Sequence, residues 1–307
     1  MSIKDRFGWD RQHRIRKILR QRETIDGILF SLPYLAFFCL FLLYPLLQGL
    51  YMSLFEWDPL FPSQSQFIGI QNYVSMFQDP AFWNALWNTV YFVVLTVPTM
   101  VILSLALALG VNKKVFGWRH LQTIYFSPYI LTVSIVGIVW SLFLMTGFGP
   151  LNYYLGFIMD SPPDWLGSPT LAMPVLALVT DWWLLGFNFV ILLAARQNVP
   201  QRLYEAAKLD GAGTWRAFRD ITLPQMRNAI AFVVIIQFIQ QFQVFGQPYV
   251  MTNGGPNNAT MTLVFYLYNA AFSQQRFGYA AAIGYLLFAI LVGVSYINYR
   301  YIGSDSA

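Results

Sequence analysis

The sequence predicts an all-α integral membrane protein with six transmembrane helices, and three observations carry that expectation. Of its 307 residues, 57% are hydrophobic and only 11% are charged, whereas a soluble chain carries about a quarter charged residues. Six stretches stay apolar over the roughly 20 residues that a helix needs to cross a hydrocarbon core. The basic residues gather in alternate loops between those stretches, the pattern of a chain sorted by the positive-inside rule.

Residues 1–27 form a polar, basic arm, with Ile15, Ile18 and Leu19 set against Arg11, Arg14, Arg16 and Arg20. That spacing suits a short helix lying in the membrane interface. No short apolar core with a small-residue cleavage pattern follows, so the arm is expected to precede a retained first span. Spans are expected over Ile28–Leu54, Ala85–Val111, Leu121–Met145, Leu171–Ala195, Asn228–Gln247 and Phe277–Tyr299, within one membrane domain over 28–300 and ahead of a short tail over 301–307. Asp181, in the fourth, is the one ionisable acid or base they contain. Between the fifth and sixth, Thr252-Asn253-Gly254-Gly255-Pro256-Asn257 reads as a turn. Leu263–Phe272 is too short to span and is expected on the outer surface.

Orientation follows from charge. Lys113, Lys114 and Arg119 fall between spans two and three, and Arg196, Arg202, Lys208, Arg216, Arg219 and Arg227 between four and five. The opposite loops carry Glu56, Asp58, Asp79, Asp160 and Asp164, with Arg276 as their base. Both termini and the loop around Glu205 are therefore expected in the cytoplasm. The net charge of +5 sits beside apolar spans, where anionic lipid headgroups attract it; a lipid bilayer and not a nucleic acid is the expected partner. The single Cys39 excludes an intrachain disulfide, and His13 and His120 lie in basic segments with no converging ligands for a metal.

The loop between spans four and five has its own pattern. Pro200 opens a helix over Gln201–Leu209, which Asp210-Gly211 ends because glycine tolerates the positive φ of a helix C-terminus. Thr214 is placed to cap a second short helix through Phe218 and Ile221, which Pro224 is expected to stop. Ala206, Ala207, Gly211, Ala212 and Gly213 leave a surface that a partner can approach closely.

Polar residues within the spans mark a candidate binding site. Gln237, Gln240 and Gln241 fall at i, i+3 and i+4, on one helix face. Asp181 lies roughly 15 Å below the outer end of its span at 1.5 Å per residue, and Tyr129 follows Pro128 in span three. Amides and a carboxylate for hydroxyls, with aromatic faces for a ring, suit a carbohydrate. Each glutamine serves equally well as an interhelical tie. Asn188, Phe187, Trp183 and Val244 are further candidates for the same wall.

Glu205-Ala206-Ala207, then Asp210-Gly211-Ala212, then Phe218 and Leu223-Pro224, placed between two spans, resembles the EAA loop of ABC importer permeases over about 200–224. Trp182, Gln197, Pro200, Gly149, Asn152 and Thr252-Asn253-Gly254-Gly255-Pro256 resemble the carbohydrate-uptake branch of that family. The resemblance implies the type I importer fold and a place in a bacterial or archaeal cytoplasmic (inner) membrane. It also implies a second permease subunit, two ATPase subunits docked on the Glu205 loops, and an extracytoplasmic solute-binding protein. In one member of that branch, positions matching Tyr129, Asp181, Gln237, Gln240 and Gln241 line the sugar site, and because most residue types differ here a different ligand is expected. No phosphate-binding loop of the form G-x-x-x-x-G-K-[ST] occurs here; ATP and Mg are expected on the partner ATPases, with no cofactor in this chain.

The expected function is that of a permease subunit importing a sugar or polyol. A glycerol-3-phosphate-like solute is the alternative, but its phosphate would want a base at the site, and the spans hold none. A secondary transporter would need ion-coupling groups and often shows an internal repeat, and a membrane enzyme would need converging catalytic groups; neither pattern is visible.

Overall fold

A long apolar stretch in lipid can satisfy its backbone only as a helix, and helices fill each expected span. The computed structural model describes residues 28–112 and 117–302. The basic arm with its expected interfacial helix, Lys113, Lys114 and the last residues of the tail lie outside them.

Helix α1 covers Ile28–Ser53. A small hairpin follows, β1 (Phe55–Glu56) antiparallel to β2 (Gln66–Phe67), and then α2 (Gln71–Gln78) and α3 (Pro80–Asn112). Next come α4 (Trp118–Phe126), α5 (Val133–Phe143), α6 (Pro150–Leu155) and α7 (Ala172–Gln197). The EAA-like loop supplies α8 (Gln201–Leu209), and α9 runs over Thr214–Phe242. Helix α10 (Leu263–Ser273) and α11 (Phe277–Ile302) complete the described chain. Of these, α1, α3, α7, α9 and α11 are long and apolar enough to cross a membrane. The third crossing is a bent pair.

That bend departs from the straight span expected over Leu121–Met145. Segments His120–Ile130 and Val133–Phe143 meet at 99°. Pro128 has no N–H for the Ile124 carbonyl, and Ser127 Oγ donates to that carbonyl instead, at 3.0 Å. Span five is also interrupted, ending at Phe242 and not at Gln247. The freed Val244 carbonyl accepts from Thr262 Oγ1 at 2.8 Å. Gly246 lies so close to α5 that an added Cβ would fall 2.6 Å from Val133 Cγ2. The two breaks are thus packed against each other.

Two expectations about helix ends are corrected. Thr214 is the first helical residue and not a side-chain cap, the N-cap being Gly213. Pro224 does not stop the helix. A wide turn over Phe218–Thr222 precedes it, and the altered hydrogen-bond register of such a bulge accommodates a residue with no N–H. The segment Leu263–Ser273 is not laid on the outer surface either: Leu263, Phe265 and Ala270 are fully or almost fully buried. Side chains of α3 make this possible. Thr89 Oγ1 accepts from the Leu263 N–H at 2.8 Å, and Asn88 Nδ2 donates to the Asn258 and Met261 carbonyls at 2.8 and 3.0 Å.

Helix α3 lies along α7 for much of its length. One apolar cluster joins α2, α3 and α11 around Phe82, Tyr279 and Ile283; a second joins α3, α5 and α7 around Phe92, Val136 and Leu176. A third holds Phe189, Leu192 and Met226 between α7 and α9. In lipid these contacts gain van der Waals packing and not transfer from water. Residues 28–48 of α1 are all exposed, and α1 packs on α11, where the Tyr285 hydroxyl donates to the Leu46 carbonyl.

Candidate functional site

The two helix breaks border an open cavity of about 570 Å3. Tyr129 and Val133 line it from the α4–α5 bend, Trp183 and Leu184 from α7, and Gln240, Gln241 and residues 243–247 from the end of α9. Helical continuity is lost on both sides, so backbone and side chains that a straight helix would bury in packing face open space. Tyr129 is held by a stack on Phe187, with ring centroids 5.2 Å apart and planes 16° from parallel. Trp183 donates Nε1 to the Leu131 carbonyl at 3.0 Å, which steadies the bend. The wall is rich in amides (Gln240, Gln241, Gln243 and Gln247) and contains no acid or base.

The five candidate residues do not occupy one surface. Tyr129, Gln240 and Gln241 are brought together on the cavity. Gln237 is fully buried behind them: its Nε2 donates to Asn188 Oδ1 at 2.9 Å and to Gln240 Oε1 at 3.3 Å, and its Oε1 accepts from Gln241 Nε2 at 2.9 Å. Among the further candidates, Trp183 and Val244 lie on the wall, Phe187 behind Tyr129 and Asn188 on Gln237. Asp181 is not part of the lining. It turns toward α3, where Thr99 Oγ1 donates to Oδ2 at 2.5 Å, and Oδ1 has no partner. With 8% exposure the residue is enclosed between α3 and α7.

The EAA-like loop is built as a braced platform. Gly211, at φ +74°, ends α8 in the left-handed conformation that favours glycine, and the Ala212 N–H closes on the Ala207 carbonyl at 2.8 Å. Beneath it the Tyr204 hydroxyl meets Thr222 Oγ1 at 2.9 Å, with the Arg196 guanidinium 4.4 Å above the Tyr204 ring. Glu205, Ala206, Asp210 and Gly211 face outward, and Ala207 and Ala212 are half-buried. Leu209 is 90% exposed and Trp215 72%, large apolar side chains on a face that no element among the described residues covers.

Residues 73–304 match the family of binding-protein-dependent transport system inner membrane components. The chain belongs to that family. Relatives of the permease include the diacetylchitobiose uptake system permease of Streptomyces coelicolor, 36% identical over 88% of this chain and 81% of its own length. The lactose transport system permease of Rhizobium radiobacter is 33% identical over 92% and 96% of the two chains. In the crystal structure of a bacterial ABC transporter that imports the acidic polysaccharide alginate, one chain superposes on the permease with a TM-score of 0.78 at 25% identity, covering 94% of this chain and 99% of that one.

Sequence reasoning missed three features of the permease. Gln243 and Gln247 reach the cavity only because α9 ends early, and no periodicity announces that break. Thr99 gave no sign of pairing with Asp181, 82 positions away. The loop acid Asp79 stands at the N-terminal end of α3, within the electrostatic reach of the loop base Arg276. There Asp79 accepts from the Ala81 N–H at 2.9 Å, from Tyr279 at 2.8 Å and from Tyr266. Burial pushes the Asp79 carboxyl up, but the two hydroxyls, the amide and the Arg276 charge outweigh it and hold it below the usual carboxylate range. A larger cavity, about 670 Å3, opens nearby between the hairpin, α2 and the start of α11, and shares no residue with the first.

Proposed function

We propose that the permease is one of two related membrane subunits of an ATP-driven importer that carries a neutral sugar or polyol into a bacterial or archaeal cell. The observation that carries this reading is the wall of the cavity between the broken helices. Tyr129 and Trp183 offer aromatic faces for the apolar side of a sugar ring, and four glutamines offer donors and acceptors for hydroxyls. The absence of a base from that wall disfavours a phosphate-bearing or acidic solute. In this reading Tyr129, Gln240 and Gln241 touch the sugar, Gln237 orients the two glutamines, and Asp181 ties α7 to α3. Lactose, arabinooligosaccharide and diacetylchitobiose permeases among the relatives support the substrate class.

The partners follow from the same reading. The platform around Glu205 faces the cytoplasm and docks an ATPase subunit, with Gly211 giving close approach and ATP and Mg residing on that partner. A second permease completes the pathway, and an extracytoplasmic solute-binding protein delivers the sugar; the alginate importer in complex with its ligand-bound periplasmic protein is a precedent. The membrane domain covers 28–300, with the arm 1–27 and the tail 301–307 both cytoplasmic. The test is uptake by the assembled importer in proteoliposomes with its binding protein and a panel of neutral and anionic sugars. Neutral-sugar uptake that falls in Tyr129→Ala and Gln240→Leu, with assembly intact, supports the reading; uptake confined to anionic sugars overturns it.

A further inference from the structure

A third cavity, of about 520 Å3, lies under the platform around Glu205, between α8, the start of α9 and the ends of α3 and α7. Its walls combine two bases, Arg196 and Lys208, with apolar surface from Leu109, Trp215, Phe218 and Tyr204. Among the described residues no acid lines it: Glu205 and Asp210 are absent from the lining, and Asp220 lies 3.6 Å from Arg216. Neither Arg196 nor Lys208 has an ion pair among the described residues. The Arg196 guanidinium covers the Tyr204 ring, an interaction that uses its face and leaves its N–H edge for a planar or tetrahedral anion. A base in the last turn of α7 also complements the helix dipole. Lys208, in the last turn of α8, does the same for its own helix, but two separate helix dipoles do not explain why both bases line one space.

Depth decides what chemistry fits. Spans α3 and α7 end at Asn112 and Gln197, so the cavity sits where hydrocarbon gives way to headgroups. A basic pocket between helix ends at that level, with apolar walls continuing toward the bilayer, matches a molecule with an anionic head and an apolar body. We propose that this cavity binds the headgroup phosphate of an anionic phospholipid, and that the bound lipid tethers the coupling platform to the bilayer. The proposal rests on the membrane placement given above and goes beyond it, because nothing in the sugar pathway requires such a site. Anionic lipid would then be a cofactor of coupling, holding α8 in place while a partner pushes on it.

The experiment uses the assembled importer in nanodiscs of phosphatidylcholine with a minor fraction of phosphatidylglycerol, followed by extraction and quantification of lipid retained by the complex. Wild type is expected to retain phosphatidylglycerol about tenfold more than Arg196→Gln/Lys208→Gln, while Arg196→Lys, which keeps the charge but loses the fork stacked on Tyr204, retains an intermediate amount. Should the double variant fail to assemble, Lys208→Gln alone, an exposed position, is expected to lower retention severalfold. Equal retention by wild type and the charge-removing variant that assembles overturns the proposal. Displacement of the lipid by millimolar inorganic phosphate also overturns it, since the occupant would then be a free anion. Both leaflets carry the lipid, so the result does not depend on orientation, and a failure here leaves the sugar-import reading standing.

Discussion

Gln237 Nε2 donates to Asn188 Oδ1 at 2.9 Å, deep between α9 and α7. Both side chains are fully buried, so each depends on the other for a partner that water cannot replace. The same glutamine accepts from Gln241, which lies on the cavity. A tie between two helices and the orientation of a cavity residue are therefore carried by one amide.

Replacing Gln237 should damage stability before it damages selectivity. Gln237→Leu leaves Asn188 and the Gln241 amide unsatisfied, a cost of about 1–3 kcal/mol, and should lower the thermal unfolding temperature in detergent. Gln240→Leu, at an exposed position, should leave that temperature unchanged and weaken uptake. The reverse pattern would make Gln237 the sugar contact and Gln240 the tie.

Asp181 lies off the cavity and on Thr99, so sugar preference should be the same in Asp181→Leu as in wild type. Thr99→Val removes the carboxylate's donor and should destabilise the permease by about 1–3 kcal/mol. Combining the two should recover much of that loss, because replacing both partners with apolar groups can be nearly neutral. Competition uptake with two sugars checks the first statement and thermal unfolding the second. Altered sugar preference in Asp181→Leu would bring Asp181 back into the pathway.

Coupling should fail without loss of insertion in Glu205→Ala and Gly211→Asp. Glu205 is exposed on the platform, and Gly211, at φ +74°, puts the backbone where an aspartate side chain would hold a partner away. Substrate-stimulated ATP hydrolysis by the assembled complex is expected to disappear in both. Full stimulation with normal assembly would remove the platform from the coupling path.

Topology is tested at Ser63, in the exposed connection between the β-strands. A cysteine there should react with an impermeant reagent added outside sealed right-side-out vesicles. Reaction only after the cytoplasmic face is opened would invert the orientation of every span.

At the N-terminal end of α3, acid should loosen the tie made by Asp79. Its carboxyl is held below the usual range in the folded state. The unfolded group titrates near about 3.9, so the contribution is present above that pH and is lost as pH falls through the lower folded value. Asp79→Asn should be less stable at neutral pH and should lose less stability on acidification than wild type. Parallel acid curves for the two proteins would dissociate Asp79 from the acid response.

The sequence by itself determined that this chain crosses a membrane, where its spans lie apart from the bend in the third and the limits of α9, and that a short helix α8 stands between spans four and five. Each of these rests on local properties: apolar length, and Pro200 and Gly211 bounding α8. The tertiary structure alone decided how the polar residues divide. Gln237, Gln240 and Gln241 share one helix face, yet α9 ends at Phe242, so two of them line a cavity and one is locked on Asn188. Asp181, at a similar depth, turns to α3 because Thr99 stands opposite it. The early end of α9 depends on Thr262 capturing the Val244 carbonyl and on Gly246 fitting against Val133, and α10 is buried because Thr89 and Asn88 satisfy its approach. These partners are distant in the chain. Helix periodicity reports which face a residue shares, but only packing between spans decides what that face meets.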